Sequence, residues 1–391
     1  MSADGGTAVA SASRGAGRRG RALVTVRAGS PRRRALRLIG IALIVVAALI
    51  VPFEFEPFRV GQFTLVLVWA VAALGLNLLV GYNGQISLGH GAFFAVGGYT
   101  TAILAVKANV PLAATIPVAA AVNWLLGFAF GVPALRLRGL YLALVTLGLA
   151  IATPPVIKRF EGLTGGVQGL AVPPLTVPEG VPLDPDQATY LLVLLVAAVM
   201  FVLAVNLTRG VLGRAIMTVR ENERAATTLG VDLAWVKTRV FAWSAAYAGV
   251  GGALYAVAVS FVAPESFPLL LSFSFLAAIV IGGLGTVAGA LFGALFIEFV
   301  PQFAGDVNQA LTGVLYGIAL IVVMYLLPGG AAGLLRRLRR RLVAVVEVPV
   351  GPPRPAGADA NNAAGEVDGG QPARGAAEPR SEPAAQPGRQ P

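Results

Sequence analysis

The sequence contains no cysteine. That absence excludes a disulfide framework and any cysteine metal site. It contains one histidine, His90. A metalloenzyme or an acid–base enzyme would have little to be built from. The Gly-Lys pair of a phosphate-binding loop does not occur, so the chain carries no Walker A motif. Charge is scarce as well: only 13% of residues are Asp, Glu, Lys or Arg, and none lies between Gln62 and Val106 or between Val240 and Pro264. Such blocks cannot supply the polar surface of a soluble domain.

What is present is apolar. Hydrophobic residues make up 56% of the chain. An apolar run of about 18 residues or more reads as a membrane span. Ten spans are expected, near 38–52, 62–81, 88–106, 111–131, 139–157, 188–206, 240–262, 269–283, 286–300 and 312–327. The fold class is therefore an all-α polytopic membrane protein. The net charge of +11 would point to nucleic acid in a soluble protein. Here it reads as topology, because basic residues collect on the cytoplasmic side of spans, and no nucleic-acid partner is expected.

With the N-terminus inside, 26 of the 30 basic residues are internal and four, Arg59, Lys107, Lys158 and Arg159, are external. Residues 269–300 read either as one long tilted span or as two. The split at Gly282–Gly285 is chosen because it keeps the run "RRLRRR" (336–341) inside. Both termini are then cytoplasmic. The tails, 1–37 and 336–391, are expected to be basic, the latter turning Pro/Gly/Ala-rich, and disordered, since such compositions bury too little to fold. A secretory signal over 18–52 is disfavoured, because "VPFEFEPF" offers no small-residue cleavage site.

The run "GYNGQISLGHG" (81–91) interrupts this apolar background with four glycines and no charge. Backbone that leaves the helix at membrane depth is tolerated where it is buried in protein or lines a cavity. In transporters, broken helices surround the substrate. Asn83, Gly84, Gln85, Ser87, Gly89 and His90 are thus candidates for lining a pathway, with the first-turn N–H groups of Ile86 to Gly91 suited to a substrate carboxylate. The competing reading is that the glycines serve close helix packing, and that His90 is a packed or capping residue. A second glycine-rich break, "GGLGTVAGALFG" (282–293), echoes the first and adds Gly282 and Gly285. Glu298 reads as a functional acid or, near Pro301, as an interfacial one.

Two loops are long enough to act. The external loop 158–187 contains Thr164, Gly165 and Gly166, either a receptor-facing turn or a turn alone. The internal loop 207–239 reads as a helix from Leu212 to Leu229, stopped by Gly230, with a second short helix beginning at Val231 and Asp232. Its charged band is Glu221, Asn222, Glu223 and Arg224, with Arg220 before it. The loop is a docking surface or a solvated connector.

"NLLVGYNGQISLGHGAFFAVGGYTTAIL" (77–104), "LTGGVQGL" (163–170), "GRAIMTVRENERAATTLGVD" (213–232) and "AAIVIGGLGTVAGALFGALFIEFVP" (277–301) occur in that order. They resemble segments of the branched-chain amino acid ABC transporter permeases, in particular the LivM-like branch. The resemblance covers about Leu36 to Leu335. It implies a permease subunit that moves a small polar solute inward by alternating access, with ATP hydrolysis by subunits in trans and no enzymatic activity or cofactor of its own. The implied partners are a homologous LivH-like permease, two cytoplasmic ATP-binding subunits and an external solute-binding protein, in a bacterial cell membrane. Permeases similar to these also carry urea, short amides or other amino acids. An ion-coupled secondary transporter is the more distant alternative. The resemblance makes 207–239 the coupling loop. Arg224, Ala225 and Ala226, three residues before Gly230, match the Glu-Ala-Ala…Gly spacing of such loops, with Arg224 in place of the acid. Glu221, Asn222 and Glu223 complete the expected contact.

Overall fold

The computed structural model describes residues 24–27, 31–134, 139–176, 182–307, 311–327 and 329–346. All its helices belong to one compact unit, Met1–Val345. In chain order they are α1 (Pro31–Glu54), α2 (Pro57–Leu76), α3 (His90–Lys107), α4 (Leu112–Ala134), α5 (Leu140–Arg159), the single turn α6 (Glu161–Thr164), α7 (Pro185–Arg209), α8 (Val211–Glu221), α9 (Glu223–Thr228), α10 (Leu233–Val259), α11 (Leu269–Gly282), α12 (Val287–Val307), α13 (Thr312–Leu326) and α14 (Gly330–Leu342). The chain is an all-helical, multi-pass membrane protein.

Each of the ten expected spans coincides with a helix, but not all ten are span-like in composition. Among the described residues, eight segments are long and apolar enough to cross a membrane. The apolar part of α1, Ala42–Glu54, is shorter. Helix α3 is not among the eight; it carries His90, Thr100, Thr101 and Lys107, and much of its surface is buried by neighbouring helices. Helix α1 begins at Pro31, well before residue 38, with proline in the first turn where its missing N–H costs nothing. The run 336–341, expected to open a disordered tail, is helical within α14. Residues 1–23 and 347–391, and Arg136 and Arg138, lie outside the described residues.

The centre of the fold is α10, most of whose residues are buried. Helices α2, α3 and α4 surround it. Small residues make this possible. A Cβ at Gly251 would stand 2.9 Å from the Ala72 side chain, and one at Gly127 would stand 2.5 Å from that of Ala245. Apolar burial drives no helix association within lipid, so such close backbone approach supplies the packing contact.

The chosen split of 269–300 is realised. Helix α11 ends at Gly282 and α12 starts at Val287, with Gly283 (φ +119°) and Gly285 (φ +67°) between them. Both angles lie where side chains with a Cβ are strained. At about 1.5 Å per residue, the 14 residues of α11 make it markedly shorter than the 21 residues of α12.

The connections gather in two groups. In one, Leu170–Ala171 pairs antiparallel with Phe261–Val262, Lys158 bridges to Glu265 at 2.8 Å, and Lys107 donates to the Gly162 carbonyl. In the other, residues 81–84, Arg220, 283–286 and the start of α14 are in contact. The expected external segments 107–110, 158–187 and 263–268 meet in the first group, and the expected internal segments 82–87, 207–239 and 284–285 meet in the second.

Candidate functional site

Helix α2 does not stop cleanly. From Asn77 to Tyr82 its turns widen into a π-helix, a form concentrated at functional sites. The N–H groups of Gly84 and Gln85 close this turn on the carbonyls of Val80 and Leu79, both at 3.1 Å. Gly84 (φ +75°) then reverses the chain.

This first break docks against the second. The Asn77 amide makes both contacts: its Oδ1 accepts from the Gly285 N–H at 2.9 Å, and its Nδ2 donates to the Thr286 carbonyl at 2.8 Å. Asn77 is fully buried, and both halves of its amide are satisfied. Gly81 and Gly285 approach so closely that a Cβ at Gly81 would lie 2.5 Å from the Gly285 nitrogen. The Arg220 guanidinium, reaching in from α8, donates to the Gly81 carbonyl. The two glycine-rich breaks and the loop 207–239 therefore meet at one place.

The expected residues of the first break divide between two environments. Gly89 and Gly91 pack. A Cβ at Gly89 would stand 2.8 Å from the Thr146 carbonyl, and one at Gly91 2.7 Å from Ser272 Oγ. Three of the six N–H groups expected to face a carboxylate, Ile86 to Gly91, are occupied within the chain. Leu88 donates to Thr146 Oγ1 (2.9 Å), Gly89 to Ser87 Oγ (3.4 Å) and Gly91 to Ser272 Oγ (3.0 Å). His90 is buried, with Nε2 2.7 Å from the Ala72 carbonyl and its ring edge-on to Phe275. It ties α2, α3 and α11 together. By contrast, a Cβ at Gly84 would meet nothing closer than Arg220 Cγ at 3.5 Å. Beside it, Asn83 is buried with neither amide atom hydrogen-bonded. Gln85 is half-buried and Ile86 exposed. The pathway candidates thus narrow to Asn83, Gly84 and Gln85. In the second break, Gly282 is a packing residue against Gly289 and Gly293, whereas Gly285 belongs to the junction.

The loop 207–239 differs from the single helix expected over Leu212–Leu229. It breaks at Asn222 (φ −159°, ψ 108°), whose side chain accepts from the N–H groups of Arg224 and Ala225 and so caps α9. An asparagine offers this alternative to helix continuation. Gly230 (φ +77°) ends the segment as expected. The second short helix expected at Val231–Asp232 is instead the start of the long α10, with Asp232 as its cap at 3.1 Å from the Trp235 nitrogen. Glu221, Asn222, Glu223, Arg224, Ala225 and Leu229 are exposed, and Glu223 is paired with Lys237 at 2.7 Å. Ala226 is fully buried within this chain, so it is not part of an open contact face.

Thr164, Gly165 and Gly166 form a tight turn. Thr164 Oγ1 donates to the Ile157 carbonyl (2.7 Å) and accepts from the Gly166 N–H (3.2 Å). Gly165 and Gly166 hold φ +76° and +59°. The turn displays its apolar neighbours Leu163 and Val167. Glu298, expected at a span end, lies near the middle of α12, because Pro301 sits inside that helix without ending it. Its carboxylate accepts from Trp69 Nε1 (2.8 Å) and Gln302 Nε2 (2.7 Å), locking α12 to α2.

Asn77 and Arg220 were not among the sequence candidates for the break. A lone amide entering an apolar helix end was a legible signal for Asn77. Nothing in the charged band singles out Arg220.

Residues 59–324 match the family described as the branched-chain amino acid transport system permease component. The chain is similar to the high-affinity branched-chain amino acid transport system permease protein LivM of Salmonella typhimurium, 33% identical over 320 residues, 76% of this chain and 75% of that protein. It is 32% identical to LivM of Escherichia coli with the same coverage. It is also 23% identical to the permease protein LivH of Escherichia coli over 68% of this chain and 91% of that protein. No solved structure matches the chain.

Proposed function

The chain belongs to the branched-chain amino acid transport system permease family, and from that premise we propose that it is the LivM-like membrane subunit of an ATP-binding cassette importer for branched-chain amino acids. Its partners in this reading are a LivH-like permease, two ATP-binding subunits and an external solute-binding protein. Both termini face the cytoplasm of a bacterial inner membrane. The observation that supports it most directly is the junction of Asn77, Gly81, Arg220 and Gly285, where the loop that would meet the ATPase touches both membrane breaks.

In this reading α9 and its flanks, Glu221 to Gly230, contact the ATPase through their exposed side chains, chiefly Arg224, Ala225 and Leu229. Asn83, Gly84 and Gln85 line the inner end of the pathway, where the free amide of Asn83 meets the polar head of the solute. The turn at Thr164–Gly166 presents Leu163 and Val167 to the binding protein.

The test is uptake of labelled leucine by vesicles holding the complete transporter. Uptake should require ATP and the binding protein, and should persist when ionophores collapse ion gradients. Uptake abolished by ionophores and indifferent to ATP would mean a secondary transporter. Uptake of urea but not leucine under ATP would retain the importer and replace its substrate.

A further inference from the structure

We propose that Arg220 is a positioning residue that makes the two membrane breaks move with the coupling segment, a role that rests on the importer reading above. Arg220 stands in the last turn of α8, two residues before the Asn222 cap that opens α9. The body of α8 is held to the membrane helices by Gly213, Ile216 and Val219, all buried. Helix α9 is tied to α10 by the Glu223–Lys237 pair. The Arg220 side chain instead crosses to the end of α2. There the turn N–H groups of Gly84 and Gln85 are spent on Val80 and Leu79, and the Gly81 carbonyl takes the guanidinium.

The same Nη1 lies 3.4 Å from the Cβ position of Gly285, and Cγ lies 3.5 Å from that of Gly84. One side chain therefore spans both breaks. Among the described residues no carboxylate forms an ion pair with Arg220. Its charge is directed at a helix C-terminus, where the carbonyl dipoles favour a cation. The glycines leave no side chain between guanidinium and backbone, so any displacement of α8 is passed to the main chain of both breaks at once. A planar fork does this better than an ammonium, which offers a point charge without fixed geometry.

Single cysteine reporters test this in the assembled transporter, with labelling read on this chain, which has no cysteine of its own. Ala225→Cys reports the coupling segment, its labelling rate following how closely the ATPase covers it, and Ile86→Cys reports the first break; both positions are exposed in this chain by itself. In the parent chain, ATP with vanadate should change the labelling rate of both. In Arg220→Met, which keeps the length and loses the donors, Ala225→Cys should still respond and Ile86→Cys should not. ATP hydrolysis should then continue while leucine uptake falls about tenfold or more, the scale of losing a hydrogen bond to a charged group. Arg220→Lys should recover part of both. An Ile86→Cys response in Arg220→Met equal to the parent's would overturn the proposal. No response of Ala225→Cys in the parent would instead remove the coupling-loop reading, and the proposal with it. If Arg220→Met does not assemble, Arg220→Lys carries the test: a reduced Ile86→Cys response beside an intact Ala225→Cys response supports the proposal, and an unreduced one overturns it.

Discussion

Ala226 and Leu229 lie three residues apart in the proposed coupling segment, yet the fold uses them oppositely. Ala226 is fully buried in its own chain, whereas Leu229 is 74% exposed. Ala226→Trp should therefore overpack the α8–α10 region, at a cost of roughly 1–3 kcal/mol. The expected outcome is less permease in the membrane, measured by immunoblot, before any question of coupling arises. Leu229→Asp should leave that amount unchanged and remove the binding-protein-stimulated ATP hydrolysis of the reconstituted complex. The reverse pattern would mean that the contact face lies elsewhere. Asn77 belongs to the same scale. Replacing it by Ala leaves the Gly285 N–H and Thr286 carbonyl without their partners, and each such loss costs about 1–3 kcal/mol when buried.

At the scale of elements, the junction between α11 and α12 depends on glycine for two separate reasons. Gly282 has no room for a side chain, because its Cβ would collide with the Gly289 carbonyl. Gly285 has a backbone angle, φ +67°, that a Cβ disfavours by about 1–2 kcal/mol. Gly282→Leu should therefore abolish accumulation of the protein. Gly285→Ala should accumulate but transport poorly, because the strain falls on the junction itself. Equal loss of protein in both variants, read from membrane abundance beside uptake, would make the junction a packing feature only.

Much of this scale was legible beforehand. Apolar runs locate the helices, and Gly282–Gly285 locates the hairpin, because burial and glycine geometry are local properties. The Asn222 break was not legible: a run of good helix formers continues past it, and one asparagine competes only if its side chain turns back to the backbone. Nor was the division of Gly84 from Gly89, which depends on Thr146 of a helix far away in sequence. Glu298 was placed at a span end because Pro301 commonly ends helices, but here the helix continues through it to Val307.

At the scale of the whole molecule, charge and contact agree on a two-sided arrangement. The basic residues divide 26 to four under the alternating topology. The connections of the structure divide the same way, into a group around Gly162, Leu170 and Val262 and a group around Gly81, Arg220 and Gly285. These are independent observations, since the first rests on how spans are inserted and the second on how they pack. Neither says which group faces the cytoplasm without the charge rule. The absence of cysteine makes that measurable. Val167→Cys and Ala225→Cys are both at exposed positions, one in each group. In intact cells an impermeant thiol reagent should label Val167→Cys and spare Ala225→Cys. Permeabilised membranes stripped of the ATP-binding subunits should label both. The charge rule is a statement about free energy of insertion, so inversion of the pattern would require about two dozen Lys and Arg side chains on the disfavoured side. Labelling of Ala225→Cys in intact cells would therefore overturn the orientation of the whole bundle. It would also move the Arg220 junction to the outer face, where no ATPase could reach it.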